Sequence, residues 1–281
     1  MNDLSSRPIG IFDSGLGGLT VLKAVHALLP NENIVYFGDS GRAPYGTKSR
    51  ETVLKYTVQD MNFLLSQGVK MIVIACNTAS ACSLETVKEL FDLPIVDVVG
   101  AGADEAVKVT KSGNIGVIGT GATVASGVYE RAIKSRMPEA EYHAKACALF
   151  VPLVEEGWWN HQVTGAVAKE YLQSLKDFDI DTLVLGCTHY PYLENVIGNV
   201  MGEKVSLINS ASAVAKKVKE CLSDNNLLNG DKARGKVSYF TSDSVEKFKS
   251  LGGLFLGEPM EMAEKVEIDR MCETLVKSEE Q

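Results

Sequence analysis

The stretch Met71-Ile-Val-Ile-Ala-Cys76-Asn-Thr78 is an apolar run that ends on a small residue, a cysteine and two polar residues. Thr182-Leu-Val-Leu-Gly-Cys187-Thr-His189 has the same form, with its cysteine 111 residues further on. A short continuous apolar run reads as a strand covered on both faces, the usual condition in a parallel sheet. Similar runs occupy residues 9–12, 34–37, 95–98, 115–118, 205–208 and 237–240. Between them, residues 19–29, 51–66, 83–90, 122–136 and 163–175 carry apolar side chains at spacings of three and four, the helical period. Strands alternating with helices predict an α/β fold built from βαβ units. The echo between the two cysteine stretches predicts two pseudo-symmetric domains, each a mostly parallel sheet flanked by helices, with a cleft between them. The expected division places residues 1–98 and 210–281 in the first domain and 99–209 in the second, which opens on a turn at residues 100–102. Each cysteine is expected at the mouth of a helix, and the stretch from Ser210 is expected to fold back onto the first half.

The chain has 281 residues, 45% hydrophobic and 23% charged, which suits a globular protein with a sizeable core and excludes disordered and low-complexity classes. Its net charge of −8 argues against nucleic acid and anionic membrane as partners. The first residues, Met1 to Gly10, contain no apolar signal core, so the expected location is the cytoplasm. Six cysteines are scattered without a CxxC pair, and Cys187 with His189 is the only close Cys/His pair. Free thiols are therefore expected, and no metal site. Cys82, Cys147, Cys221 and Cys272 are expected to do no more than pack.

In parallel sheets, ligands bind beyond the carboxyl ends of strands. Asp13-Ser-Gly-Leu-Gly-Gly18 follows the first strand, and its backbone N–H groups suit a carboxylate or phosphate. A tight turn with a capping Asp or Ser would look the same. The loop is not a dinucleotide fingerprint, because Thr20 stands where the third glycine belongs. Cys76 is no phosphatase nucleophile of the C-x5-R type, since position 82 is a cysteine. Thr120 and Thr123, in Gly119-Thr-Gly-Ala-Thr123, are either ligand hydroxyls or helix caps. Gly41-Arg-Ala-Pro44-Tyr45-Gly46 either brings Tyr45 and glycine amides over the same edge or is an ordinary turn with an exposed aromatic. Glu155 and Glu156 precede two tryptophans that most simply anchor a loop, although a carboxylate there suits acid–base work.

Two matched cysteines facing one cleft have a direct chemical use. A thiolate removes a proton from a tetrahedral carbon, and a thiol returns one on the opposite face. A free thiol, with pKa about 8.5, is only slightly ionised at pH 7 and needs a tuning partner. Asp13 and His189 are the candidates.

The segments IGIFDSGLGGLTVL, FGDSGRAPYG, IACNTASA, IGTGATV and LGCTHYP resemble, in the same order and over nearly the whole chain, those of glutamate racemases. That resemblance implies interconversion of L- and D-glutamate without pyridoxal phosphate, metal or any other cofactor, supplying D-glutamate for peptidoglycan. It implies that Cys76 acts on the α-hydrogen of the D enantiomer and Cys187 on that of the L enantiomer. Asp13, His189 and Glu155 would assist as further catalytic residues. Ser14, Pro44, Tyr45, Gly46, Asn77, Thr78, Thr120, Thr123 and Thr188 would join Asp13, His189 and the two cysteines around the substrate. A homodimer is the expected assembly. Aspartate racemases share the two-cysteine plan, but His189 and the Pro44-Tyr45-Gly46 loop favour glutamate. Two readings of other classes stand beside it: a non-catalytic amino-acid-binding thiol sensor, and a cysteine hydrolase, which lacks a visible third member.

Overall fold

A computed structural model describes residues 4–269. Cys272 and the charged carboxyl-terminal end lie outside the described residues. The strands are β1 (Ile9–Asp13), β2 (Ile34–Gly38), β3 (Met71–Ile74), β4 (Ile95–Asp97), β5 (Asn114–Gly119), β6 (Glu141–Ala146), β7 (Thr182–Gly186), β8 (Ser206–Asn209), β9 (Val237–Thr241) and β10 (Glu264–Lys265). The helices are α1 (Leu19–Leu28), α2 (Arg50–Ser66), α3 (Asn77–Leu90), α4 (Val98–Val109), α5 (Gly121–Ala125), α6 (Val128–Lys134), α7 (Phe150–Glu155), α8 (Gln162–Lys176), α9 (Glu194–Met201), α10 (Ser210–Asp224) and α11 (Val245–Leu256). Among the described residues, no helix is long and apolar enough to cross a membrane.

The strands form two sheets, in the orders β10-β9-β2-β1-β3-β4 and β6-β5-β7-β8. Every pairing is parallel. All residues of β1, β2, β3 and β7 are buried, which is why these strands appear in the sequence as unbroken apolar runs. The two sheets share a winding. From β1 the chain steps to β2 on one side and then crosses to β3 on the other; from β5 it steps to β6 and crosses to β7. The order therefore reverses between β1 and β3 and again between β5 and β7. Ligand crevices open at such reversal points, at the carboxyl ends of the strands. Asp13 ends β1 and Cys76 follows β3, while Thr120 follows β5 and Cys187 follows β7.

Several local expectations need correction. Residues 100–102 form no turn: they lie inside α4, which Asp97 starts by accepting from the N–H groups of Val99 and Gly100, both at 2.9 Å. The glycines misled because Gly in a strand-to-helix region usually marks a turn, whereas here the cap overrides their low helix propensity. The single helix expected over 122–136 is two, α5 and α6, broken at Gly127, whose φ of 63° is left-handed. Helix α3 begins at Asn77, six residues before its expected start. Strand β6 (Glu-Tyr-His-Ala-Lys-Ala) is an edge strand with partly exposed side chains, so no apolar run announces it. Beyond Ser210, β9 pairs with β2, so this part does return to the first sheet. Helix α10 packs against both α1 and α4.

Removing the cap in Asp97→Ala is expected to lower unfolding free energy by about 1 kcal/mol. Urea denaturation measures it, and an unchanged midpoint would contradict the capping role of this side chain.

Candidate active site

A cavity of about 700 Å³ lies where the carboxyl-end loops of the two sheets meet, within the size range of small-molecule sites. Its lining includes Ser14, Pro44, Tyr45, Gly46, Cys76, Asn77, Thr78, Thr120, Glu155, Cys187, Thr188 and His189. Two further residues singled out in the sequence, Asp13 and Thr123, stand behind the wall and reach it through hydrogen bonds. The Thr188 hydroxyl donates to Asp13 Oδ1 at 3.4 Å, and Thr123 Oγ1 lies 3.4 Å from that of Thr78 and 3.0 Å from that of Thr120.

On the first sheet, Cys76 is the N-cap of α3, and its Sγ accepts from Ala79 N at 3.4 Å. It lies 3.6 Å from Ser14 Oγ. Burial pushes the Cys76 thiol up to about 12, the nearby Asp13 charge adds to this, and the Ala79 N–H and Ser14 hydroxyl only partly oppose it. Asp13 is fully buried. Burial raises its carboxyl, against the opposing pull of the His189 charge, the Gly18 and Gly15 N–H groups and Thr188.

On the second sheet, Cys187 does not cap an α-helix as Cys76 does. The expectation of two equivalent helix mouths fails here, because a 3-10 turn, Tyr190–Leu193, intervenes before α9 and carries Pro191. Cys187 instead gains a histidine partner, its Sγ 3.8 Å from His189 Nδ1. The other ring nitrogen, Nε2, is 3.3 Å from Glu155 Oε1. Burial alone would lower the imidazole. It is outweighed by hydrogen bonds to Cys187 and Glu155 and by the charges of Cys187 and Asp13, which hold His189 up at about 10. Glu155 is correspondingly lowered, first by its hydrogen bond from His189.

The domains also touch through hydroxyls. Thr78 on α3 lies 3.0 Å from Thr120, Oγ1 to Oγ1, and Thr120 also caps α5 by accepting from Thr123 N. Thus Thr120 is both a helix cap and a cavity residue, two roles the sequence offered as alternatives. Close approach makes two glycines necessary. A Cβ at position 17 would collide with the Thr188 hydroxyl and the His189 ring, and one at position 46 would lie 2.8 Å from Thr120 Cβ.

Tyr45 is not the exposed aromatic of an ordinary turn. It is 1% exposed, and its hydroxyl donates to Asp60 at 2.8 Å and to Asp39. Arg42 clamps the same two carboxylates, each at 2.7 Å. The Tyr45 hydroxyl is thus spent on the scaffold beneath the loop. Of the two tryptophans, Trp159 anchors through Nε1 to Val154 O at 2.9 Å and packs on Tyr192, whereas Trp158 is exposed. Cys82 and Cys147 are buried and Cys221 is half-buried. The lining also includes Ser40, Asp243, Ser244, Lys247, Phe248 and Leu251, none of which the sequence singled out. Four of these sit on α11, or at its cap, and Asp243 immediately precedes it. They lie beyond the carboxyl end of β9, so the rule that located Asp13 and Cys76 could have found them.

The model of the Asp/Glu/Hydantoin racemase family matches residues 17–218. A glutamate racemase of Geobacter metallireducens is 49% identical over 251 residues, which covers 89% of this chain and 93% of that one. Glutamate racemase isoform RacE1 from Bacillus anthracis superposes with a TM-score of 0.91 at 37% identity, over 93% of this chain and 98% of its own. Glutamate racemase from Francisella tularensis, solved in complex with D-glutamate, gives 0.89 at 41% identity, over 95% and 99%.

The raised His189 imidazole makes a stability prediction. Its contribution is fully present below its ordinary value of 6.5 and is lost as pH rises towards about 10. Between pH 6.5 and 7.5, below the range where Cys76 ionises in the unfolded chain, unfolding free energy should fall by about 1 kcal/mol. His189→Asn should abolish this part of the slope in urea titrations at the two pH values. Equal slopes in the two proteins would contradict the assignment.

Proposed function

The chain belongs to the Asp/Glu/Hydantoin racemase family, and on that premise we propose that it interconverts L- and D-glutamate by proton transfer between Cys76 and Cys187. The observation that carries this reading is the placement of the two sulfurs. Each follows the strand just past its sheet's order reversal, and both line one cavity. The substrate assignment is supported by the relatives, which are glutamate racemases over nearly their whole length.

In the L-to-D direction, the Cys187 thiolate takes the α-proton of L-glutamate, and the electron pair left on carbon spreads into the adjacent carboxylate. The Cys76 thiol then delivers a proton to the opposite face. The product is D-glutamate, with Cys187 protonated and Cys76 ionised; the reverse reaction runs the same transfers backwards. His189, held as an imidazolium by Cys187 and Glu155, faces the sulfur that enters this step as the thiolate. Burial beside Asp13 favours the thiol form of Cys76, the form that delivers the proton in this direction.

Acidifying a hydrogen beside an ionised carboxylate requires fixed donors for the charge that develops there. The Ser14, Thr78 and Thr120 hydroxyls, the Asn77 amide and the backbone of the Ser14–Gly18 loop, of Pro44-Tyr45-Gly46 and of Thr188 fill that role in this reading. They also account for the binding of an anion by a protein of charge −8. Asp13 and Thr123 act through Thr188 and through Thr78 and Thr120. The same reading places the enzyme in the cytoplasm, supplying D-glutamate to peptidoglycan synthesis.

Purified protein without added cofactor should abolish the optical rotation of L-glutamate, and L-aspartate should be turned over far more slowly. Cys76→Ser and Cys187→Ser should each lower kcat by about 10²- to 10⁴-fold or more, the range for loss of a positioned acid or base. Wild-type turnover in either variant would overturn the two-cysteine assignment.

A further inference from the structure

Asn77 is 2% exposed, borders the cavity beside Cys76, and leaves one polar atom unsatisfied. Its Oδ1 accepts from the Tyr129 hydroxyl at 2.7 Å, while its Nδ2 is buried with no hydrogen-bond partner among the described residues. An unpaired buried donor is costly unless something bound supplies an acceptor. A carboxamide has two orientations of nearly equal size, and only its hydrogen bonds decide which end faces the ligand. With Nδ2 turned to the cavity, Asn77 offers a donor to a carboxylate; turned over, it would offer a carbonyl oxygen and repel one.

Tyr129 lies on α6 of the second domain, is 1% exposed, and has its phenol held well above its ordinary value by burial. It is therefore a permanent O–H group that can donate to a carbonyl oxygen. Its ring also backs the other cysteine, since a Cβ on Gly186, the residue before Cys187, would lie 3.2 Å from Tyr129 Cε2. One side chain thus touches the supports of both sulfurs, the hydroxyl on one side and the ring on the other.

We infer that Tyr129 is a positioning residue that locks the Asn77 carboxamide with its N–H groups towards the cavity, and so makes the first domain's carboxylate-binding donor depend on a residue of the second. This rests on the reading of the cavity as a glutamate site. The lock acts through Asn77 alone, because Tyr129→Phe keeps the ring behind Gly186 and removes only the hydroxyl.

The test is a double-mutant cycle on Tyr129→Phe and Asn77→Ala, read as the dissociation constant for D-glutamate by calorimetry and as kcat/KM for racemisation. Tyr129→Phe is expected to weaken binding about tenfold, the scale of one hydrogen bond to a charged group. Calorimetric stoichiometry counts only folded sites, so a purely structural loss would change the site count and leave the dissociation constant alone. In the Asn77→Ala background, Tyr129→Phe should have no further effect. The inference is overturned if Tyr129→Phe binds as wild type, or if it weakens binding equally in both backgrounds. Should Asn77→Ala not fold, Asn77→Leu, closer in volume and equally without a donor, takes its place. Wild-type racemisation with an additive cycle defeats this inference alone. Binding with the predicted cycle but no wild-type racemisation defeats only the catalytic reading, and absence of both binding and racemisation defeats both.

Discussion

Parallel strand pairing is the constraint on which the rest of this molecule depends. Because every strand runs alongside its neighbours in one direction, each sheet collects its strand-to-helix loops at one edge. Each sheet then winds outwards both ways from a central pair, β1 with β3 and β5 with β7, leaving a gap between diverging connections. The chain fills these gaps with residues that would be expensive in a core: Asp13, Cys76 with Asn77 and Thr78, Thr120, and Cys187 with Thr188 and His189. Bringing the two edges together makes a cavity lined by both sets. The direct contact of Thr78 with Thr120, and the donation from Thr188 to Asp13, show how closely the edges meet.

The two halves repeat each other in backbone and differ in electrostatics. Cys76 caps a long helix and is buried beside a carboxyl group, and both burial and that charge favour its protonated form. Cys187 precedes a 3-10 turn and stands against a protonated histidine that is itself braced by Glu155. A two-base reaction needs unlike sulfurs at any instant, one holding a proton and one lacking it. Pseudo-symmetry supplies two similar positions, and in the proposed reaction the burial and the carboxyl group beside Cys76 favour that sulfur as the one that holds the proton.

Much of this was legible in the sequence because buried parallel strands leave an unbroken apolar signature, as in Met71–Ile74 and Thr182–Gly186, and because the residues following them are polar without a packing reason. Legibility stopped where that signature stops. Edge strand β6 hides behind side chains that are all partly exposed, and α4 was obscured by Gly100 and Gly102, whose helical conformation depends on the Asp97 cap. The contribution of the chain beyond Ser210 to the cavity was unseen because Asp243, Ser244 and Lys247 are individually ordinary surface residues. Only the pairing of β9 with β2 brings them to the rim. Tyr129 was equally invisible, since nothing local to α6 distinguishes a tyrosine that reaches across to another domain from one that merely packs.

The central claim is that one sulfur removes the α-proton and the other returns a different one. The most direct measurement follows L-glutamate in deuterated water at low conversion and determines deuterium at the α-carbon separately in residual substrate and in product. Because the returning thiol exchanges with solvent before it delivers, newly formed D-glutamate should be deuterated while residual L-glutamate stays protiated. Product that retains the original hydrogen, or residual substrate labelled as fast as product forms, would contradict the account and point to a single base serving both faces.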